Sequence, residues 1–362
     1  MSRARAWGWI AHLRDGGTTP WADWSAPADR ADRVLPGAQQ LELLRRLNLA
    51  GRPSTALADR VLATSAPGRG RPDFELVGAD EGSPFGPQPV DPSSLPADEL
   101  VRVATGVIAE DVVAGPVPER TPRRPRRPRW RIVGDAWVAH TMTEAMLDRR
   151  RWPGGPGTVA HVVGTDQAAM LVDAWTARCF AEGGPPWGEW LDAVLRRPVP
   201  PRRADLVRVA DAWAGRLGRS RVRVVLDPAL VAGLVRTRRP LPVRPTLPAA
   251  GVELARHVSA ALGHHVVPAR RVALLRGVLL PRLVGRPGPA LVVPPDRAEQ
   301  VTAMAERHRE RLLAAHYAVH GEPDLLLPRQ HDGAAEPAVD GVLDLALALL
   351  LDHQTAPEEA HP

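Results

Sequence analysis

Apolar positions recur at helical spacing through the first third of the chain. From Pro36, LPGAQQLELLRRLNLAG sets Leu41, Leu44 and Leu47, with Leu43 on the flank, along one side of a helix that Gly51 and Pro53 end. Ser54 is placed to cap a second helix, STALADRVLATS, whose Leu57, Val61 and Leu62 form one stripe. A Gly/Pro-rich stretch from Pro67 to Pro92 leads into PADELVRVATGVIAEDVVAG, where Leu100, Val103, Val107, Ile108 and Val112 again repeat helically. Ahead of all this, Trp7, Trp9, Trp21 and Trp24 surround a Gly-Gly-Thr-Thr-Pro turn and predict a small aromatic plug. Residues 1–118 therefore read as a mostly helical, Trp-rich N-terminal module.

The pattern then changes. ERTPRRPRRPRWR is too proline-punctuated for a helix, so residues 119–129 read as an extended basic linker, with seven arginines between Arg120 and Arg131. Beyond it, short apolar runs alternate with helical segments. Strands are expected at Trp130–Gly134, at TVAHVVG (Thr158–Gly164) and at RVRVVLDP; helices are expected at Val138–Arg150, after Asp166, at GEWLDAVL and at ADLVRVADAWAGRLG. Strand, helix and strand in succession predict an α/β fold with a parallel sheet and crossover helices, over residues 130–328. The rest of that segment, Pro248–Leu283 and Asp296–His316, reads as helical. Residues 329–362 form a linker and an apolar end helix, VDGVLDLALALLLDHQ, too short to span a bilayer and expected to dock on the body, on a protein partner or on a second copy.

Composition adds exclusions. Arginine supplies all 47 cationic side chains, so no lysine exists to hold a nucleotide phosphate, form a Schiff base or act as a general base. GC-rich codon usage accounts for that bias and for part of the sequence pI of 10.9 at a net charge of +6. One cysteine, Cys179, rules out an intramolecular disulfide and any cysteine-cluster metal site. With no signal-peptide core and no apolar run of spanning length, the expectation is a cytoplasmic, soluble protein.

In order, WRIVGDAWVAHTMTEAM, HVVGTDQAAMLVDAW, PPWGEWL, DLVRVADAWAGRLGRSRVRVVLDP and HYAVHGEPDLLLP resemble a bacterial sulfotransferase-like family with a P-loop type α/β fold, over about residues 130–328. The resemblance implies a sulfonate donor, adenosine 3'-phosphate 5'-phosphosulfate, held by a Gly-rich loop after the first strand and by an Arg and a Ser on the 3'-phosphate. Here the loop reads Gly134-Asp135-Ala136-Trp137-Val138-Ala139-His140-Thr141. Trp137 takes the lysine's place, Ala139 a glycine's, and Asp135 adds negative charge; Gly134 and Thr141 remain. The 3'-phosphate positions are Thr165 and Asp173, and the roughly 25 residues between the first two strands are fewer than the family uses. Gly134, Thr141 and Thr165 are thus degenerate cofactor-binding positions.

These departures predict a sulfotransferase-like protein without catalysis, cofactor or metal, whose role is binding or scaffolding. Two alternatives stand beside it. One is an active sulfotransferase or other transferase on a nucleotide-like or phosphorylated substrate, with arginines supplied from elsewhere in the fold. The other is a DNA-binding protein, because the paired helices at 39–65, joined by LAGRPS, resemble a helix-turn-helix that would present Thr55, Asp59 and Arg60. A plain helical hairpin is the simpler reading of that pair. The His pairs, His264-His265, His316 with His320 and His140 with His161, lack an HExxH arrangement, and Cys179 reads as a small core residue.

Overall fold

Ile132, Val162 and Val224 lie on adjacent parallel strands, as their apolar runs require. The computed structural model describes residues 3–24, 35–65, 73–79, 89–117, 130–263 and 266–355. The arginine run 119–129, most of GRGRPD and His264-His265 fall outside the described residues.

Helices Arg3–Arg14 (α1), Ala38–Ala50 (α2), Thr55–Ala63 (α3) and Ala97–Ala114 (α4) precede the first strand. Then come Trp130–Gly134 (β1), Ala136–Asp148 (α5), Val159–Val163 (β2), Gln167–Cys179 (α6), Trp187–Leu195 (α7), Leu206–Leu217 (α8) and Val222–Val225 (β3). The short Val231–Leu234 (α9) is followed by Ala249–Leu262 (α10) and by Pro268–Leu274 (α11), which passes through a π-turn into Leu280–Leu283 (α12). Ala298–Ala314 (α13), Ala318–His320 (β4) and Val339–Thr355 (α14) complete the series.

The chain divides into two compact units. The second, Val117–Val252 with Leu283–Pro337, carries a four-stranded parallel sheet ordered β1-β2-β3-β4. Register pairs Val133 with Val162 and Val162 with Val224. Side chains alternate between faces. Trp130 and Ile132 pack with Val163, Val225 and the Val138, Met142 and Met146 side of α5, while α8 also lies against the sheet. β4 was not among the expected strands; Ala318-Val319-His320 is one residue shorter than the shortest run that pattern reading accepts.

The first unit joins Met1–Pro116 to Glu253–Arg282 and Ala338–Pro362. Its centre is α2, where Leu41, Leu43, Leu44 and Leu47 are fully buried beside Glu42, itself held by Arg45 and Arg46 at 2.7 and 2.9 Å. The apolar end helix α14 lies on α4 and α2, and Ala346, Leu349 and Leu350 are buried there. The tryptophan plug is present: the Trp9 and Trp21 rings are 5.3 Å apart and His12 stacks on Trp24. Trp9 belongs to α1, a helix that the aromatic spacing did not announce. Among the described residues no helix is long and apolar enough to cross a membrane.

Candidate functional site

Strand β1 passes into α5 through one residue. Gly134 ends the strand at φ +111°, and a Cβ there would lie 2.2 Å from the Val163 carbonyl oxygen, so only glycine fits. Asp135 is fully buried, and its Oδ1 accepts from the backbone N–H groups of Trp137 and Val138 at 3.0 and 3.1 Å. A phosphate-cradling loop needs several residues between strand and helix; here Ala136 to Thr141 are already helical. Trp137, in the place of the expected lysine, packs on Phe180 with ring centroids 5.1 Å apart. The Thr141 hydroxyl donates back to the Trp137 carbonyl at 2.9 Å.

The next strand end repeats the arrangement. After β2, Asp166 is buried and accepts from the Ala169 N–H at 2.9 Å, capping α6. Between strand and helix sits Thr165. The Arg244 guanidinium, from the extended stretch after α9, donates to the Thr165 hydroxyl at 3.3 Å and to Asp173 Oδ2 at 2.6 Å. Asp173 also faces Asp135 closely enough to hydrogen-bond when one of the two is protonated. Burial raises the Asp135 pKa against the pull of Arg244, and burial together with the Asp135 charge raises that of Asp173 well above the carboxylate range. Two buried carboxyls facing each other cannot both ionise cheaply, so their arrangement favours sharing one proton, with Arg244 balancing the remaining charge. Asp135, expected to add negative charge to the loop, is thus a helix cap, and Asp173, expected at a 3'-phosphate position, is the ion-pair partner of Arg244.

A third buried group adjoins α8. Asp205 caps that helix through the Arg208 N–H at 3.1 Å and meets Arg311 at 3.2 Å. His308, wholly buried, accepts from the Leu206 N–H on Nε2 at 3.1 Å and pairs Nδ1 with the Gln167 side-chain oxygen at 2.7 Å. Those partners fix a neutral ring protonated on Nδ1. Burial outweighs the attraction of Asp205 and lowers the His308 pKa to about 4. His161, buried on β2, is likewise lowered to about 4, by burial first and then by Arg223 and His320.

Of the three residues expected from the resemblance to be degenerate cofactor positions, Thr165 joins the Arg244 cluster, Gly134 adjoins it through Asp135, and the Thr141 hydroxyl is occupied by its own helix. Arg244, Gln167 and His308 were not anticipated. In the first unit, Arg60 of α3 is held by Asp111 at 2.7 Å, and Asp59 pairs with Arg14 at 2.5 Å, so two of the three side chains assigned to a DNA groove are engaged within the protein. No group of three or more His, Cys, Asp or Glu residues suited to a metal occurs among the described residues, and Cys179 is buried. Compared with protein-family models, with curated proteins and with solved structures, the chain matches none.

Proposed function

We propose that the chain is a non-catalytic, sulfotransferase-like binding protein whose anion seats are filled by its own carboxylates. The observation that carries this is Asp135 bonded to the first N–H groups of α5, where the resemblance would put a donor phosphate. Asp166 and Asp205 cap α6 and α8 in the same way. The strand order follows the chain order, so among the described strands there is no reversal of the kind at which open parallel sheets bind ligands. Its binding role is toward a macromolecule rather than a small cofactor, and its lone buried cysteine suits a reducing compartment such as the cytoplasm.

The test is calorimetric titration with adenosine 3',5'-bisphosphate alongside a thermal-shift series that includes ATP. Neither nucleotide is expected to raise the melting temperature at millimolar concentration; a rise of several degrees overturns the reading.

A second reading, an active transferase, has one observation in its favour: Arg244 bonds Thr165, a position assigned to the 3'-phosphate, although its charge is committed to Asp173. It requires bisphosphate binding that Arg244→Gln abolishes.

A further inference from the structure

Trp213 is a half-buried ring on α8 set among arginines. Arg131 of β1 and Arg216 of α8 place their guanidinium carbons 5.3 and 5.1 Å from its centroid. Beside the ring, Arg202, Arg208 and Arg216 line a hollow of about 240 Å³ walled also by Val209 and Ala212, and Arg131 reaches the ring without lining it. Among the described residues no carboxylate pairs with Arg131, Arg202, Arg208 or Arg216, whereas Arg244, Arg309 and Arg311 each hold one and Arg297 holds two. Four exposed, uncompensated guanidiniums around one aromatic ring make a local positive field with a stacking surface in it.

The chemistry narrows the partner. Guanidinium forks match phosphate oxygens bidentately, and a Trp face takes a planar base. The hollow is smaller than the ~300 Å³ at which small-molecule pockets begin, which suits a surface that touches one unit of a longer chain. Duplex bases are stacked away from a ring on a helix side, and an acidic peptide has nothing to place on it. In sequence, Arg131 is the last of seven arginines that start at Arg120. We propose that this surface binds single-stranded nucleic acid, with backbone phosphates on Arg131, Arg202, Arg208 and Arg216 and a base against Trp213. Arg131 lies near the start of β1, away from the Gly134 end, so this inference stands whether or not the carboxylate-filled seats exclude a donor.

The full chain is titrated into a fluorescein-labelled oligothymidylate of about 12 nucleotides, followed by anisotropy over about 50–200 mM salt. Binding is expected with a log–log salt slope near about −3, from four phosphate contacts at about −0.7 each. Arg208→Glu with Arg216→Glu, both on the exposed side of α8, is expected to weaken binding about 10-fold or more with an unchanged melting temperature. Trp213→Leu is expected to weaken it about 5-fold or more with the slope retained, and Trp213→Phe to restore most of it. Absence of binding at about 100 µM protein in low salt overturns the proposal. So does undiminished binding by the Arg208→Glu/Arg216→Glu protein, or equal competition from duplex DNA, polyglutamate or vesicles of anionic lipid.

Discussion

The Arg244 guanidinium meets the Asp173 carboxylate at 2.6 Å across 71 positions of sequence, and that contact decides how the end of β1 behaves. Asp173 is 5% exposed and Arg244 36%. The carboxylate has left water and the cation only partly has, so the pair matters chiefly through what its loss would strand.

Arg244→Met is therefore expected to destabilise the protein by about 2 kcal/mol, less than the roughly 3–5 of a fully buried pair because the cation is partly exposed. Folded-state pKa values already raised above the unfolded ones will rise further. Raised carboxyls contribute fully below the unfolded pKa and lose stability as pH climbs through the folded one. The deficit should accordingly be larger at pH 8 than at pH 5 in urea unfolding, and Asp173→Asn in the same chain should recover most of it. A deficit independent of pH would disprove the shared-proton arrangement.

His308 sets an opposite dependence. Its folded pKa near 4 lies below the ordinary value of 6.5, so the fold favours the neutral ring. That stability is present above pH 6.5 and is lost as pH falls toward 4, on the order of 3 kcal/mol over the window. His161, shifted the same way, adds to the slope. His308→Gln should flatten the acid limb of the stability profile and lower stability at pH 7 by about 1–3 kcal/mol, since the Leu206 N–H and Gln167 would lose their geometry.

Much of this architecture is legible where local pattern governs it. Apolar runs mark β1, β2 and β3, and Ser54, Asp166 and the leucine stripes mark their helices, because apolar periodicity and capping are short-range. Asp135 carries a signal that its charge obscures: an aspartate directly ahead of a helical apolar run is an N-cap before it is a repelling charge. β4 escapes because three residues carry no period. The contacts of Arg244 with Thr165 and Asp173, and of His308 with Gln167, join residues 71 to 141 apart, and nothing in composition or spacing encodes such distances.

Gly134 tests the strand-to-helix turn. Its positive φ and the Val163 carbonyl in the place of a Cβ mean that Gly134→Ala strains the backbone and presses on the paired strand together. A loss of about 3 kcal/mol or more is expected in chemical denaturation. A substitution here would break the sheet before it reported on any ligand, so binding experiments should vary Arg244 instead. A Gly134→Ala protein as stable as the parent would show that the turn is not the one described.

The end helix offers the last test. Leu343, Leu347, Leu349 and Leu350 are at most 5% exposed, and α14 rests on α4 and α2 of its own chain. These four leucines are thus covered within the unit that α14 belongs to. Burying each is worth about 2 kcal/mol, and emptying a buried leucine site adds a cavity cost. Leu350→Ala is expected to cost about 2–5 kcal/mol, and Leu350→Asp to unfold the first unit outright. Asp344 and Asp352 are exposed and mark the wet side of the helix, so Asp344→Ala should change stability by less than about 0.5 kcal/mol. Limited chymotrypsin digestion should leave Leu343–Leu351 intact in the parent and cut it in Leu350→Ala. If the two proteins gave the same early fragments from this segment, α14 would be a loosely held appendage and its packing on α4 would have to be abandoned.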